Sequence, residues 1–155
     1  MTTLKSIQLA FAFELRITVD PVAELSQTPK GIRRMIPITG GTFAGPTIRG
    51  DIVGGGYDWQ TGRSDGVTEV DARYLLKTDD GSLITIVNQG LRHGPAEVMQ
   101  RLAKGEPVDP SAYYFRSVPV FETADLRYQW LTGSVFIASG SRLPNEVLIQ
   151  VFQVL

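Results

Sequence analysis

The sequence has no cysteine and one histidine, His93. Without thiols there is no disulfide framework, and one imidazole cannot build the usual nitrogen–sulfur zinc site from a single chain. No metal ligands are therefore assigned. The lack of cysteine also suits a reducing compartment, and a cytoplasmic protein is expected. Clustered positive charge is equally scarce. Fifteen Lys and Arg face 16 Asp and Glu for a net charge of -1, and the densest basic stretch is Lys30-Gly31-Ile32-Arg33-Arg34. Phosphate contacts supply most of the affinity for nucleic acid, so nucleic acid is not an expected partner.

Long apolar runs are missing too. Nothing approaches the roughly 18 residues that span a bilayer. The apolar run from Ile7 to Phe13 is interrupted by Glu14 and Arg16 and has no small-residue cleavage site behind it, so it reads as neither a membrane anchor nor a secretory signal. No phosphate loop is present. Gly54-Gly55-Gly56 lacks both the Lys-Ser/Thr tail and the spacing of a dinucleotide fingerprint, so no cofactor is implied.

What is present is alternation. Ile7, Leu9, Phe11, Phe13, Leu15, Ile17 and Val19 are apolar and all odd-numbered. This period of two predicts one long strand with a single buried face, ended by Asp20-Pro21. Eleven of the 16 glycines lie between Gly31 and Gly81, among short apolar pieces at 32–38, 42–52 and 67–78. Gly40-Gly41, Gly54-Gly55-Gly56 and Asp65-Gly66 mark turns or bulges, and Asp79-Asp80-Gly81 marks a hairpin between strands 67–78 and 82–90.

One helix is expected over 95–105. Proline opens it, glycine closes it, and Val98, Met99 and Leu102 form its apolar stripe. Further strands follow near 112–122, 133–140 and 146–154, with a short turn or helical piece at 123–131. About eight strands and one short helix, without βαβ alternation, predict a mainly β protein. The expected fold is a single antiparallel closed barrel over residues 1–155.

Several residues could carry chemistry. Gly62-Arg63-Ser64-Asp65-Gly66 matches a hydrolase nucleophile elbow, but an alternating strand follows it instead of a helix, so it reads as a turn. Asp58 lies between Tyr57 and Trp59 just after three glycines. A carboxyl against aromatic rings suits acid/base work, and an Asx turn beside core aromatics explains it equally well. Alternation puts Glu69, Asp71 and Arg73 on one face of their strand and Val70, Ala72, Tyr74 and Leu76 on the other. Asp71 and Arg73 are either catalytic or simply solvated.

On the next candidate strand, Arg116 and Glu122 share a face with Tyr114, Val118 and Val120. There they form a structural ion pair or contact a ligand. His93, just before the helix, is a proton shuttle or a polar helix-entry residue. Asp58, Asp71, Arg73 and His93 are thus the catalytic candidates. Trp59, Tyr74, Arg116, Glu122, Tyr128 and Trp130 are the ligand-binding ones.

Several strings taken together resemble a known family. They are 37–46 (Pro37-Ile38-Thr39-Gly40-Gly41-Thr42-Phe43-Ala44-Gly45-Pro46), Gly54-Gly55-Gly56-Tyr57-Asp58-Trp59-Gln60, Arg63-Ser64-Asp65-Gly66 and Asp71-Ala72-Arg73-Tyr74. Later come Leu91-Arg92-His93-Gly94-Pro95, Tyr113-Tyr114-Phe115-Arg116, Phe121-Glu122-Thr123 and Tyr128-Gln129-Trp130-Leu131. The chain is similar to domain-of-unknown-function family 3237, also called uncharacterised protein family 0311. The resemblance implies a small β-barrel. The barrel type is similar to that of allene oxide cyclase and dirigent proteins, which guide small organic molecules without a cofactor, a likeness of fold only. Where the family pattern often reads Pro-Gly-Gly-Ala-Asp-Trp, this chain has Gly54-Gly55-Gly56-Tyr57-Asp58-Trp59.

Three readings of function follow. The first is a cofactor-free enzyme doing acid/base chemistry (isomerase, cyclase, lyase or hydrolase) on a small organic molecule that could carry a carboxylate. The second is a barrel that binds such a ligand without turnover. The third is a structural domain that associates with itself through apolar strand faces, which makes a homodimer a candidate assembly.

Overall fold

In the computed structural model, which describes residues 1–155, strand β1 spans Leu9–Val19 and obeys the predicted alternation only over its second half. Phe13, Leu15 and Ile17 are buried, while Ile7, Leu9 and Phe11 are exposed. The cause is a bulge. Phe11 pairs with Phe152 and Phe13 with Val151, which leaves Ala12 as an extra residue that turns inward. One inserted residue moves every preceding side chain to the opposite face. The expected unbroken apolar face from Ile7 to Val19 is thus corrected to one that begins at Ala12.

The remaining strands are β2 (Ala23–Thr28), β3 (Gly31–Ala44), β4 (Arg49–Gly62), β5 (Thr68–Thr78), β6 (Leu83–His93), β7 (Tyr114–Glu122), β8 (Phe136–Arg142) and β9 (Glu146–Val154). Consecutive strands from β3 to β9 pair antiparallel, and β1 pairs with both β9 and β3. Those two pairings close an eight-strand antiparallel barrel. β2 stands outside the ring and pairs only with the start of β3. Helix α1 spans Ala96–Ala103 and stops before Gly105, whose φ of +76° suits glycine. A 3₁₀ turn at Leu126–Tyr128 and helix α2 (Gln129–Thr132) fill the connection predicted as helical or turn. No helix is long and apolar enough to cross a membrane.

The glycine-rich stretch lets β4 bend without losing its inward phase. Val53 pairs with Leu75 and Tyr57 with Arg73, so β4 carries two extra residues there. An even insertion keeps even-numbered side chains inside, Ile52 before the bulge and Asp58 and Gln60 after it. A Cβ on Gly56 would lie 2.5 Å from Cβ of Tyr74, so only glycine permits that approach.

The two ends of the barrel differ. At one end Phe13, Phe121 and Phe136 pack edge to face in sequence, with centroids 5.7 and 5.3 Å apart, and Trp130 of α2 lies 6.0 Å from Phe136. This end is plugged. Each ring buried there contributes roughly 1.5–3 kcal/mol. At the other end α1 lies beside the mouth, and only Leu102 of that helix is fully buried.

Candidate functional site

The inward alternation of β3 to β6 and β8 sends a set of polar side chains into the open half of the barrel. Arg34 pairs across strands with Gln60, Asp58 with Ala72 and Ala72 with Asn88, while Arg92 pairs with Thr68. Cross-strand partners share a face, so these residues all point to the lumen. Arg142 arrives from the end of β8, opposite Val147 of the inward face of β9.

Asp58 is half-buried at the centre of this set. Its Oδ1 accepts the backbone N–H of Asp71 at 2.9 Å and its Oδ2 accepts Nε2 of Gln60 at 2.8 Å. Gln60 turns its other end to Arg92, whose Nη2 donates to Oε1 at 3.4 Å. The Arg92 guanidinium also lies over the Phe115 ring, 5.4 Å from its centroid. One amide side chain therefore links a carboxyl to a buried cation.

The titration behaviour follows from this setting. Burial pushes the Asp58 carboxyl above the ordinary carboxylate range, against the opposing pull of its hydrogen bonds and of Arg92. Burial lowers Arg92 to about 10, with Arg142 and Arg34 adding repulsion and Asp58 working the other way. It remains cationic at neutral pH. Arg142 is also lowered by burial. Burial, then the charge on Asp58, holds the Tyr74 phenol above its ordinary value, so Tyr74 stays a hydrogen-bond donor.

Around these groups several buried polar atoms lack a protein partner: Tyr74 Oη, Asn88 Oδ1, Ser117 Oγ, Arg92 Nε and Arg142 Nη1. Tyr74, Asn88, Ser117 and Arg92 are each more than nine-tenths buried. Unpaired buried polar groups cost about 1–3 kcal/mol each, so a concentration of them needs a reason. Two hollows adjoin them. A small internal cavity of 40 Å³ is lined by Asp58, Tyr74 and Asn88 together with apolar residues such as Val70 and Val147. A larger cleft of 320 Å³ opens between the mouth and α1, lined by Arg34, Gln60, Arg92, Arg142, Met99 and Leu102 among others.

The residues singled out from sequence do not all meet here. Asp58 and Tyr74 face the lumen. Asp71 and Arg73 lie on the outside of β5, paired at 3.3 Å. His93 stacks on Tyr114 outside the barrel, with centroids 4.8 Å apart. Arg116 lies over the same Tyr114 ring and donates to Ser139 Oγ at 3.0 Å. Glu122 is exposed on that outer face. Trp59 faces outward beneath Arg33.

Tyr128 and Trp130 sit at the plugged end, where Tyr128 Oη donates to Asp80 at 2.8 Å. The face of β7 that carries Arg116 is thus the outer one; Phe115, Ser117 and Phe121 take the inner one. Ser64 lies exposed in the turn after β4, as its sequence context predicts.

Sequence reasoning missed Gln60, Asn88, Arg92, Arg142 and Arg34. A usable signal existed for two of them. Asn88 and Arg92 continue the even-numbered inward series Ile84, Ile86 on β6, and polar residues on an otherwise apolar face need partners. Arg142 follows Gly140-Ser141, where alternation fades, and only barrel closure brings it opposite Arg92. No three His, Asp or Glu side chains gather as a metal site.

The pattern of a family described as "Protein of unknown function (DUF3237)" matches residues 7–154. A UPF0311 protein of Clostridium acetobutylicum is 39% identical over 155 residues, covering 99% of this chain and 98% of its own. The crystal structure of a conserved protein of unknown function from Rhodopseudomonas palustris superposes with a TM-score of 0.95 at 38% identity, covering 98% of this chain and all of that one. A β-barrel-like protein from Acinetobacter baumannii gives 0.87 at 41% identity over the full length of both. A more distant relative, a hydroalkoxylation enzyme of Penicillium herquei, is 35% identical over 78 residues, half of this chain and 52% of that protein.

Proposed function

The chain belongs to the DUF3237 family, and from that premise we propose that it is a cofactor-free enzyme that moves protons on a small organic molecule inside the barrel. The observation that carries this reading is the placement of Asp58. Its half-buried carboxyl has a raised pKa and stands next to a phenol and an amide that have no protein partner. Catalytic groups are poised in this way when they must both take and return a proton.

Addition or elimination across a carbon–carbon double bond suits these groups best. In an addition the Asp58 carboxylate takes the proton of a substrate hydroxyl. The oxygen then bonds to one alkene carbon, and the alkene electron pair moves onto the adjacent carbonyl as an enolate. In this reading the Tyr74 hydroxyl, which has no protein partner, donates to that oxyanion. Asp58 then returns the proton to carbon, and no oxidant or reductant is consumed. Hydroalkoxylation, the reaction in the name of the Penicillium relative, is an addition of this class.

The test is turnover of a panel of hydroxyaryl alkenes and unsaturated ketones, each with and without a carboxylate a few bonds from the alkene, in D₂O, followed by NMR for carbon-bound deuterium. Wild type should incorporate label, and Asp58→Asn should lose about 10²–10⁴-fold of the rate. With Asp58 acting first as base, kcat/KM should rise with pH through a pKa above the ordinary carboxylate range. Undiminished turnover in Asp58→Asn would remove the carboxyl from the mechanism. Tight binding of panel members without turnover by wild type would favour the second reading, a ligand-binding barrel.

A further inference from the structure

The cleft between the barrel mouth and α1 carries more cationic charge than its own residues neutralise. Arg34, Arg92 and Arg142 all line it. Every salt bridge in the chain is made by other arginines except one, between Arg34 and Glu24 at 3.7 Å, and Glu24 is largely exposed on β2. Arg92 and Arg142 have no carboxylate at contact distance. Each leaves one guanidinium N–H buried and unpartnered.

Charged groups face the cleft from several of the surrounding elements. β2 brings Glu24, β3 Arg34, β6 Arg92 and β8 Arg142; β4 brings the neutral Gln60, with Asp58 behind it in the smaller cavity, and α1 offers Met99, Gln100, Leu102 and Ala103 and no charge. Two desolvated like charges without a counter-ion are costly, and the sequence keeps both.

We infer that this cleft binds the carboxylate of a small organic acid, held by Arg92 and Arg142, with Arg34 at the rim. The inference rests on the proposed enzymatic reading and names the class of its substrate. A planar carboxylate matches the forked N–H donors of arginine, and the two unpartnered N–H groups are the ones it would take up. Met99, Leu102 and Ala103 of α1 offer an apolar wall for the body of the acid. The cleft volume of 320 Å³ falls at the small end of ligand pockets, which run from about 300 to 1,000 Å³.

The geometry also restricts where the acid reacts. Gln60 alone separates Asp58 from Arg92, with contacts of 2.8 and 3.4 Å. Asp58 lines the adjoining 40 Å³ cavity, one side chain beyond the cleft, so the reactive atom of an acid anchored on Arg92 must lie only a few bonds from its carboxylate. Neutral molecules and long-chain acids with remote reactive centres are selected against.

The experiment is isothermal titration calorimetry of the full chain with benzoate, its neutral isostere benzamide, and sulfate. Wild type, Arg142→Gln, Arg34→Gln and Asp58→Asn are compared, with circular dichroism confirming that each variant folds. Benzoate should bind and benzamide should not. Arg142→Gln should weaken benzoate at least about tenfold, as expected for loss of a charge-assisted pair. Arg34→Gln should weaken it less, and Asp58→Asn should leave it unchanged or tighter.

Equal binding of benzoate and benzamide would overturn the inference, as would undiminished benzoate affinity in folded Arg142→Gln. Sulfate binding as tightly as benzoate would overturn it in favour of a general anion site. The two proposals fail separately. Benzoate binding through Arg142 without turnover of any panel member leaves the carboxylate site standing and removes the enzyme. Turnover dependent on Asp58 with no benzoate binding does the reverse.

Discussion

The plugged end of the barrel and its open end are built from the same residue types and treat them in opposite ways. At the plug, Arg127 bridges Asp80 at 2.9 Å and Asp125 at 2.7 Å, and Tyr128 Oη donates to Asp80. Thr78 Oγ1 donates to Asp80 and Ser82 Oγ to Asp125. None of these side chains is left with an unpartnered buried atom. At the mouth a tyrosine, a serine, an asparagine and two arginines are buried with atoms unsatisfied. The difference separates structure from function. A network that closes on itself holds α2 in place, and the open one is the observation behind the proposed small-molecule site.

The largest effect should come from the apolar layer under the plug. Phe136→Ala should cost about 3–5 kcal/mol by urea denaturation, since the ring fills space between Phe121 and Trp130. A loss under 1 kcal/mol would mean that the end is not packed as described.

A pair of tyrosines sharpens the contrast. Tyr128→Phe removes a hydrogen bond and should destabilise by roughly 0.5–1.5 kcal/mol. Tyr74→Phe removes an unsatisfied hydroxyl and should be neutral or stabilising, by up to about 1 kcal/mol, while slowing turnover. Equal losses in both variants would erase the distinction between the ends.

The carboxyls should differ in sign with pH. Arg127, then Ser82, holds Asp125 well below the ordinary carboxylate range, and its contribution is present above 3.8 and lost as pH falls through the lowered value. Asp58 is raised, so its ionisation weakens the fold as pH climbs from 3.8 through the raised value. Tm against pH should show Asp125→Asn less stable than wild type at pH 7, with the gap closing in acid. Asp58→Asn should be equal or more stable at pH 7, again converging in acid. The same direction of change in both variants at pH 7 would contradict the comparison.

The smallest effects belong to the outer surface. Asp71→Ala should change stability by at most about 1 kcal/mol, as exposed pairs do, and His93→Gln should leave the pH profile of turnover where it was. A shift in that profile would return His93 to the chemistry.

Much of the fold was legible because alternation is a local signal. β5, β6, α1 and the turns at Asp65-Gly66 and Asp79-Asp80-Gly81 fall where pattern and turn chemistry put them. β2 was not legible. Its residues are nearly all exposed, so no buried face shapes its sequence, and only backbone pairing with β3 defines it. The bulge at Ala12 leaves no mark because alanine fits either face.

In the site, Asp58 was found through its aromatic neighbours, although Tyr57 and Trp59 turn to the outside and the carboxyl is buried by other residues. Which of the two apolar faces of β7 turns inward is a property of the closed ring. No reading of the strand alone distinguishes the face of Arg116 from that of Ser117.

The seam made by β1 has a consequence for biosynthesis. β3 through β6 form a meander of adjacent hairpins, and β7 to β9 add to it in chain order after longer connections, so each strand can pair as it leaves the ribosome. β1 precedes the other strands of the barrel, finds β3 early and then waits for β9, because Leu9 pairs with Val154. Until β9 has emerged the nascent sheet has two open borders, each a row of unpaired backbone groups able to pair with another chain.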